Sequence, residues 1–119
     1  MEDVAFNGER KKHRVLKIYR EPAVISEFKL YQNYPNPFNG RTTISYNLEK
    51  GAWVSWAIYS ITGQLILDEK NIWQDAGYYS VSWEPEASHS VGQSLAAGIY
   101  YFHLKTENHS ATIPMVYLK

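Results

Sequence analysis

Four histidines are the residues in this chain best suited to bind a metal or to exchange a proton near neutral pH. They are His13, His89, His103 and His109. No two of them stand at the spacing of metal ligands on one predicted element, and His103 falls on the outward face of a predicted strand. The chain has no cysteine, which excludes a thiolate zinc site and a disulfide framework. We therefore predict no metal site and no cofactor.

Ser88 and His89, with Glu84 and Glu86 close by, are the nearest approach to a catalytic group. A nucleophilic serine needs a base, a residue that orients the base, and donors for the oxyanion. This stretch has no strained nucleophile turn and no such donors. A pair of acids for glycoside hydrolysis would need a cleft, and the acids here fall in predicted turns. The sequence thus predicts that this protein is not an enzyme.

Trp53 and Trp73 are candidate ligand-stacking residues. Trp53 falls on the face opposite the apolar residues of its predicted strand, and Trp73 falls in a predicted connection. Two interpretations are open: the indoles cover a sheet edge, or they form a stacking platform for a sugar or another partner. We favour edge cover, because single exposed apolar residues are normal on protein surfaces.

The charges of the chain are unevenly distributed. Six basic residues lie between Glu9 and Arg20, while the whole chain has a net charge of zero. Nucleic-acid binding by this run would depend strongly on salt, but no recognition helix is predicted, and we expect a solvated linker. No apolar stretch is long enough to span a membrane, and none near Met1 resembles a signal peptide. We expect no membrane insertion. If the protein is exported, we expect its signal peptide to lie upstream of this sequence.

Alternation of apolar and polar residues predicts the elements that would position these side chains. The predicted strands are residues 42–48, 53–59, 64–67, 78–83, 99–105 and 112–118. A short strand is also expected between Arg14 and Arg20, and Pro22 ends it. Turn residues separate the strands at the spacing typical of a sandwich. We predict an all-β, immunoglobulin-like antiparallel β-sandwich of about seven strands, in which Pro114 marks an edge strand or a bulge.

The run from Leu30 to Gly40 is unlike the rest of the chain. Pro35 and Pro37 fix the backbone angle φ and lack a backbone donor, and they push the residues before them towards extended backbone. Asn39 and Gly40 are predicted to adopt positive φ in a turn. The run therefore predicts a stiff extended segment that leads into the first strand.

This run and the motifs after it resemble the type A C-terminal sorting domain of the type IX secretion system. The resemblance covers residues 28–119. The matching positions are Leu30, Gln32, Asn33, Tyr34, Pro35, Asn36, Pro37, Phe38, Asn39, Gly63, Gln64, Gly77, Trp83, Gly98 and Tyr100. The residues of the sorting-signal strand are Thr112, Met115, Val116, Leu118 and Lys119.

The resemblance implies a fold and a function. The fold is an immunoglobulin-like sandwich over residues 28–119, similar to that of flagellar hook-capping proteins, after a linker or the tail of a preceding domain at residues 1–27. The function is a non-catalytic signal that directs an upstream cargo domain through the periplasm to the cell surface or medium, in bacteria of the Bacteroidetes–Chlorobi group. The implied partners are the outer-membrane translocation machinery and a sortase, with cleavage within about residues 20–29.

Three positions depart from the family pattern. Gly40 stands where proline is usual, Pro114 stands where lysine commonly precedes the methionine, and Glu84-Pro85 replaces a common Asp-Gly turn. We expect the edge of the last strand to be recognised by added backbone pairing, with Pro114 interrupting that ladder at one donor. Two other functions stay open: a carbohydrate-binding module that uses a glycan as partner, and a structural module that adds strands between neighbouring subunits.

Overall fold

The computed structural model describes residues 19–21, 27–87 and 95–119. The strands are β1 (Tyr19–Glu21), β2 (Lys29–Leu30), β3 (Thr42–Leu48), β4 (Ala52–Ser60), β5 (Leu65–Gln74), β6 (Gly77–Trp83), β7 (Gly98–Lys105) and β8 (Ser110–Tyr117). A turn of 3₁₀ helix at Pro85–Ala87 follows β6. The described residues contain no α-helix, and none of their helices is long and apolar enough to cross a membrane.

The strands form two four-stranded sheets. Their orders are β1-β6-β3-β2 and β5-β4-β7-β8, and all the paired strands run antiparallel. Because β3 and β4 lie in different sheets, as do β5 and β6, the chain crosses repeatedly between the layers. This connectivity is typical of immunoglobulin-like sandwiches. The predicted all-β sandwich is confirmed.

The core lies between the sheets and is made of the residues that the alternation placed inward. Trp83 and Phe102 are fully buried, and Tyr46 is also inaccessible. The Tyr46 hydroxyl donates to Gln74 Oε1 at 2.6 Å, and burial raises the pKa of this phenol. Removing an aliphatic or aromatic side chain from water contributes about 1.5–3 kcal/mol of stability. The other inward residues of the central strands are Ile44, Leu48, Val54, Trp56, Ile58, Tyr79, Val81, Tyr100 and Leu104.

Two local predictions are wrong. The strand predicted at residues 64–67 runs on to Gln74 as β5, so Trp73 lies within a strand and not in a connection. Asn39 and Gly40 do not adopt positive φ, and a Cβ atom on Gly40 would meet nothing within 4 Å. The structure therefore shows no steric need for glycine at position 40.

Residues assigned to the linker contribute to the sandwich. Tyr19–Glu21 form β1, which pairs with β6 so that Tyr19 lies opposite Ser80. This strand is the end of the one expected between Arg14 and Arg20, and the remainder of that stretch lies outside the described residues. Ser88, His89 and His13 also lie outside them. The domain boundary after residue 27 stays a prediction.

Candidate functional site

The run from Leu30 to Gly40 is called the opening run below. Its first half pairs with the first sheet. The backbone N–H of Tyr31 donates to the carbonyl of Ser45 at 2.9 Å. Tyr34 and Thr43 exchange two backbone hydrogen bonds, both of 2.9 Å. The opening run thus extends the pairing of β2 along the edge of β3.

The second half of the opening run pairs with the other sheet. The N–H of Phe38 donates to the carbonyl of Val116 at 3.0 Å, and the N–H of Leu118 donates to the carbonyl of Phe38 at 2.7 Å. Pro35 and Pro37 lie at this change of sheet, and the peptide bonds before both are cis. Because proline has no N–H, neither residue leaves a backbone donor to be satisfied at the crossing.

Two side chains of the opening run bond to the backbone of β8 as well. Asn36 Oδ1 accepts from the N–H of Val116 at 3.0 Å, and Gln32 Nε2 donates to the carbonyl of Pro114 at 2.6 Å. Together with Phe38, these contacts occupy the outward backbone groups from the carbonyl of Pro114 to the N–H of Leu118, one residue beyond β8. The expectation that a partner adds a strand at this edge is therefore wrong for this stretch of the folded domain.

Pro114 lies in an edge strand, as predicted from its sequence position. In an antiparallel ladder the N–H and C=O of one residue point to the same side. The carbonyl of Pro114 faces Gln32, so its nitrogen also faces away from β7. The pairing of β7 with β8 continues without a register shift through this residue. The β7–β8 ladder is therefore intact at Pro114, and the donor that proline lacks is on the outer side of β8, where an added strand would need it.

Asn33 anchors the corner of the opening run from inside. Its side chain is buried, and Nδ2 donates to Thr42 Oγ1 at 2.9 Å and to the carbonyl of Pro35 at 3.2 Å. Its Oδ1 accepts from Gln32 Nε2 at 2.7 Å. The Thr42 hydroxyl donates to the same Pro35 carbonyl at 2.9 Å. The amide of Asn33 is therefore a satisfied buried polar group, which a nonpolar residue could not replace without leaving partners unpaired.

Phe38 fixes the opening run to the core. Its ring is 2% exposed and lies 5.2 Å from the ring of Tyr117 and 5.8 Å from that of Trp83. Trp83 in turn contacts the ring of Tyr100 at 5.6 Å. Three motif residues, Phe38, Trp83 and Tyr100, thus form one aromatic cluster around the last strand. The sequence alternation gave no signal for this grouping, which also includes Tyr117.

Tyr117 carries the polar end of this cluster. Its hydroxyl donates to Glu86 Oε2 at 2.7 Å, and Lys119 Nζ lies 3.9 Å from the same oxygen. Burial, and then the hydrogen bond and negative charge of Glu86, raise the pKa of Tyr117 to about 12. The carboxylate therefore joins the 3₁₀ turn to the end of the chain.

Of the five residues predicted for the sorting-signal strand, one is buried in the core and four lie on the outside of the domain. Met115 faces the core and is fully buried. Thr112 and Val116 are on the outer face, where the Thr112 hydroxyl bonds His103 Nδ1 at 2.7 Å. Leu118 is 49% exposed, and Lys119 is exposed.

The other motif residues lie in turns or at strand ends. Gly63 and Gln64 form the turn between β4 and β5, where Gly63 has φ 93° and the N–H of Gln64 donates to a serine hydroxyl. Gly77 and Gly98 begin β6 and β7 at positive φ. These glycines allow backbone angles that other residues rarely adopt. Tyr34 is 80% exposed and contacts β3 through its backbone.

Trp53 and Trp73 lie opposite each other on β4 and β5. Their ring centroids are 5.4 Å apart at 69°, and about half of each side chain is exposed. Trp73 Nε1 donates to Asp75 Oδ1 at 3.0 Å, and its ring covers Gly51, where a Cβ atom would come within 2.6 Å of it. The nearly perpendicular rings give no flat platform, which favours edge cover.

A second cluster was not anticipated from the sequence. His109 Nε2 lies 2.9 Å from Glu49 Oε2, and the Phe28 ring stacks on the imidazole at 4.5 Å and 9°. The hydrogen bond from His109 lowers the pKa of Glu49. The cluster joins the start of the predicted domain to two turns. In the described part of the chain, no three residues with metal-binding side chains are grouped.

Comparison with known proteins gives a family match and a structural match. The family model described as "Secretion system C-terminal sorting domain" matches residues 32–117. A solved chain from a study of PorZ, a surface component of the type IX secretion system of Porphyromonas gingivalis, is similar with a TM-score of 0.50 and 22% identity. The match covers 77% of this chain and 11% of that one, so it concerns the fold alone. No functionally curated protein matches in sequence.

Proposed function

Because this chain belongs to the family of secretion system C-terminal sorting domains, we propose that it works by presenting the end of β8 on an intact sandwich. It is a sorting signal of type IX secretion, and it marks the protein that carries it for transport across the outer membrane to the cell surface or medium. We also propose that it has no catalytic role of its own.

The exposure of the chain end is the observation that supports this mechanism. Met115 and Tyr117 are buried and hold β8 to the core, whereas Leu118 and Lys119 are exposed beyond it. Side chains that are buried in the sandwich cannot contact a partner without unfolding. Of the residues predicted for the sorting-signal strand, Leu118 and Lys119 are therefore accessible at its end, and Thr112 and Val116 are accessible on its outer face.

The partner of this surface is the translocation machinery of the outer membrane, and the cargo is a domain upstream in the same protein. We further propose that a sortase cleaves within residues 20–29. This segment runs from β1 to β2, which lie at opposite edges of one sheet. Cleavage there would leave β1 attached to the cargo and would uncover the edge of β6.

Export of a reporter tests the proposal. The chain is fused to the C-terminus of a periplasm-directed fluorescent protein in a bacterium that has this secretion system. Replacing Leu118 and Lys119 by serine keeps the backbone N–H that donates to Phe38, and we expect it to reduce the exported fraction strongly. Lys50→Ser, at an exposed turn, is the control. Normal export of the doubly substituted protein, with an unchanged melting temperature, would contradict the proposal.

Glycan binding at Trp53 and Trp73 is the second candidate, supported by their half-exposed side chains. A bound sugar would change the tryptophan fluorescence, because both indoles would lose contact with water. We expect no such change with soluble polysaccharides, since the rings are nearly perpendicular. A saturable change that Trp53→Ala removes would instead establish a glycan site.

A further inference from the structure

Over residues 114–117 the last strand is bonded on both sides. On its inner side β8 pairs with β7. On its outer side it meets the opening run through the backbone of Phe38 and the side chains of Asn36 and Gln32. An edge strand of the sheet is thereby made internal along this stretch, although these contacts come from residues about 80 positions earlier in the chain.

Apart from Pro114, whose nitrogen faces outward, the last strand has no residue of the kind that discourages pairing with other chains. From Ala111 to Leu118 it contains no charged residue. Uncharged edges with unpaired N–H and C=O groups add strands from neighbouring molecules, and natural proteins cover them or place charges on them. Here the cover is a segment of the same chain.

The cover also reaches past the last strand. Leu118 lies one residue beyond β8. Its N–H donates to the carbonyl of Phe38, whose ring is buried against Tyr117. This hydrogen bond continues the backbone pairing with the opening run one residue past β8, to Leu118.

We propose that Gln32, Asn36 and Phe38 are positioning residues for sorting: they hold β8 closed to its end, and the closed strand is the form that is exported. This inference rests on the proposed function in that the end of β8 is the surface to be recognised. It goes further by assigning a role in export to three residues that lie far from that end in the sequence.

Asn36 offers the sharpest test, because its side chain can be changed without emptying the core. Asn36→Ala removes the oxygen that accepts from the N–H of Val116, while Asn36→Asp keeps an acceptor at that position. Asn39→Ala, at an exposed neighbour in the same run, is the matched control. Each variant is measured by amide hydrogen exchange at Val116 and by export of the reporter fusion.

We expect Asn36→Ala to speed exchange at Val116 by roughly tenfold, as for loss of one hydrogen bond, and to lower export in parallel. Asn36→Asp should restore both, and Asn39→Ala should change neither. Faster exchange with normal export would overturn the proposal, and so would unchanged exchange.

The two proposals fail in different ways. If the serine substitutions at Leu118 and Lys119 block export but Asn36→Ala does not, the positioning role is wrong and the proposed function stands. If Asn36→Ala lowers export but the serine substitutions do not, the closed strand is required and the terminal side chains are not what is recognised.

Discussion

The two edge strands of the second sheet are protected against unwanted pairing in different ways. β8 is uncharged from Ala111 to Leu118 and is covered by the opening run. β5 has no partner on its outer edge among the described strands, but it contains Asp68, Glu69 and Lys70. Its pairing with β4 is also broken by two register shifts, and Asn71 has φ 55°.

This difference separates local from long-range protection. Charges and irregular backbone on an edge strand discourage strand addition without help from other elements. A covered strand instead depends on residues from elsewhere in the chain, so it can stay apolar. We infer that β5 tolerates water along its edge, while β8 needs the opening run to stay in place.

The largest expected effect comes from removing the aromatic ring that holds the cover. Phe38→Ala should lower the free energy of unfolding by about 3–5 kcal/mol, because it empties a site between Tyr117 and Trp83. Denaturant unfolding measures this change. Tyr34→Ala, in the same run but 80% exposed, should cost less than about 1 kcal/mol. Equal effects of the two substitutions would show that the ring of Phe38 does not hold the cover.

A smaller effect is expected at the buried corner of the opening run. Asn33→Ala would leave the Pro35 carbonyl and the Thr42 hydroxyl short of a partner, at a cost of about 1–3 kcal/mol. The measurement is again denaturant unfolding, with Asn39→Ala as the exposed control. A loss below about 0.5 kcal/mol would show that this hydrogen-bond network contributes little.

The charged edge can be tested by removing its charges. Asp68 and Lys70 are 3.7 Å apart, and such a surface pair is worth less than about 1 kcal/mol. Replacing both by threonine should leave the free energy of unfolding nearly unchanged but should cause self-association, which light scattering detects. The same protein with Lys50→Thr is the control. If the double variant stays monomeric at high concentration, the charges of Asp68 and Lys70 are not what protects β5.

The smallest effect concerns the phenol at the end of the covered strand. The pKa of Tyr117 is raised to about 12, so the unfolded chain ionises first as the pH rises. The free energy of unfolding should therefore be unaffected below about pH 10 and should fall between about pH 10 and 12. Glu86→Gln should lower the pKa of Tyr117, as followed by NMR titration of its ring carbons. An unchanged pKa would show that burial alone causes the shift.

Much of the fold was predictable from the sequence. The alternation around Ile44, Val81 and Phe102 identified the inward faces, because side chains on a strand point to opposite sides in turn. The extent of β5 is not predictable in this way, since its apolar residues do not alternate regularly and its burial pattern is correspondingly irregular. The pairing of Trp73 with Trp53 on the neighbouring strand therefore has no signal in the sequence.

By itself, the sequence determined the sandwich, the inward residues of its central strands and the family of the opening run. Those properties follow from local periodicity and from a motif of adjacent residues. The tertiary structure alone decided that the opening run covers β8, that Asn33 is buried among partners, and that Pro114 breaks no bond between β7 and β8. The contact between Asn36 and Val116 joins residues 80 positions apart, and no local pattern contains a pairing that exists only once both sheets have formed.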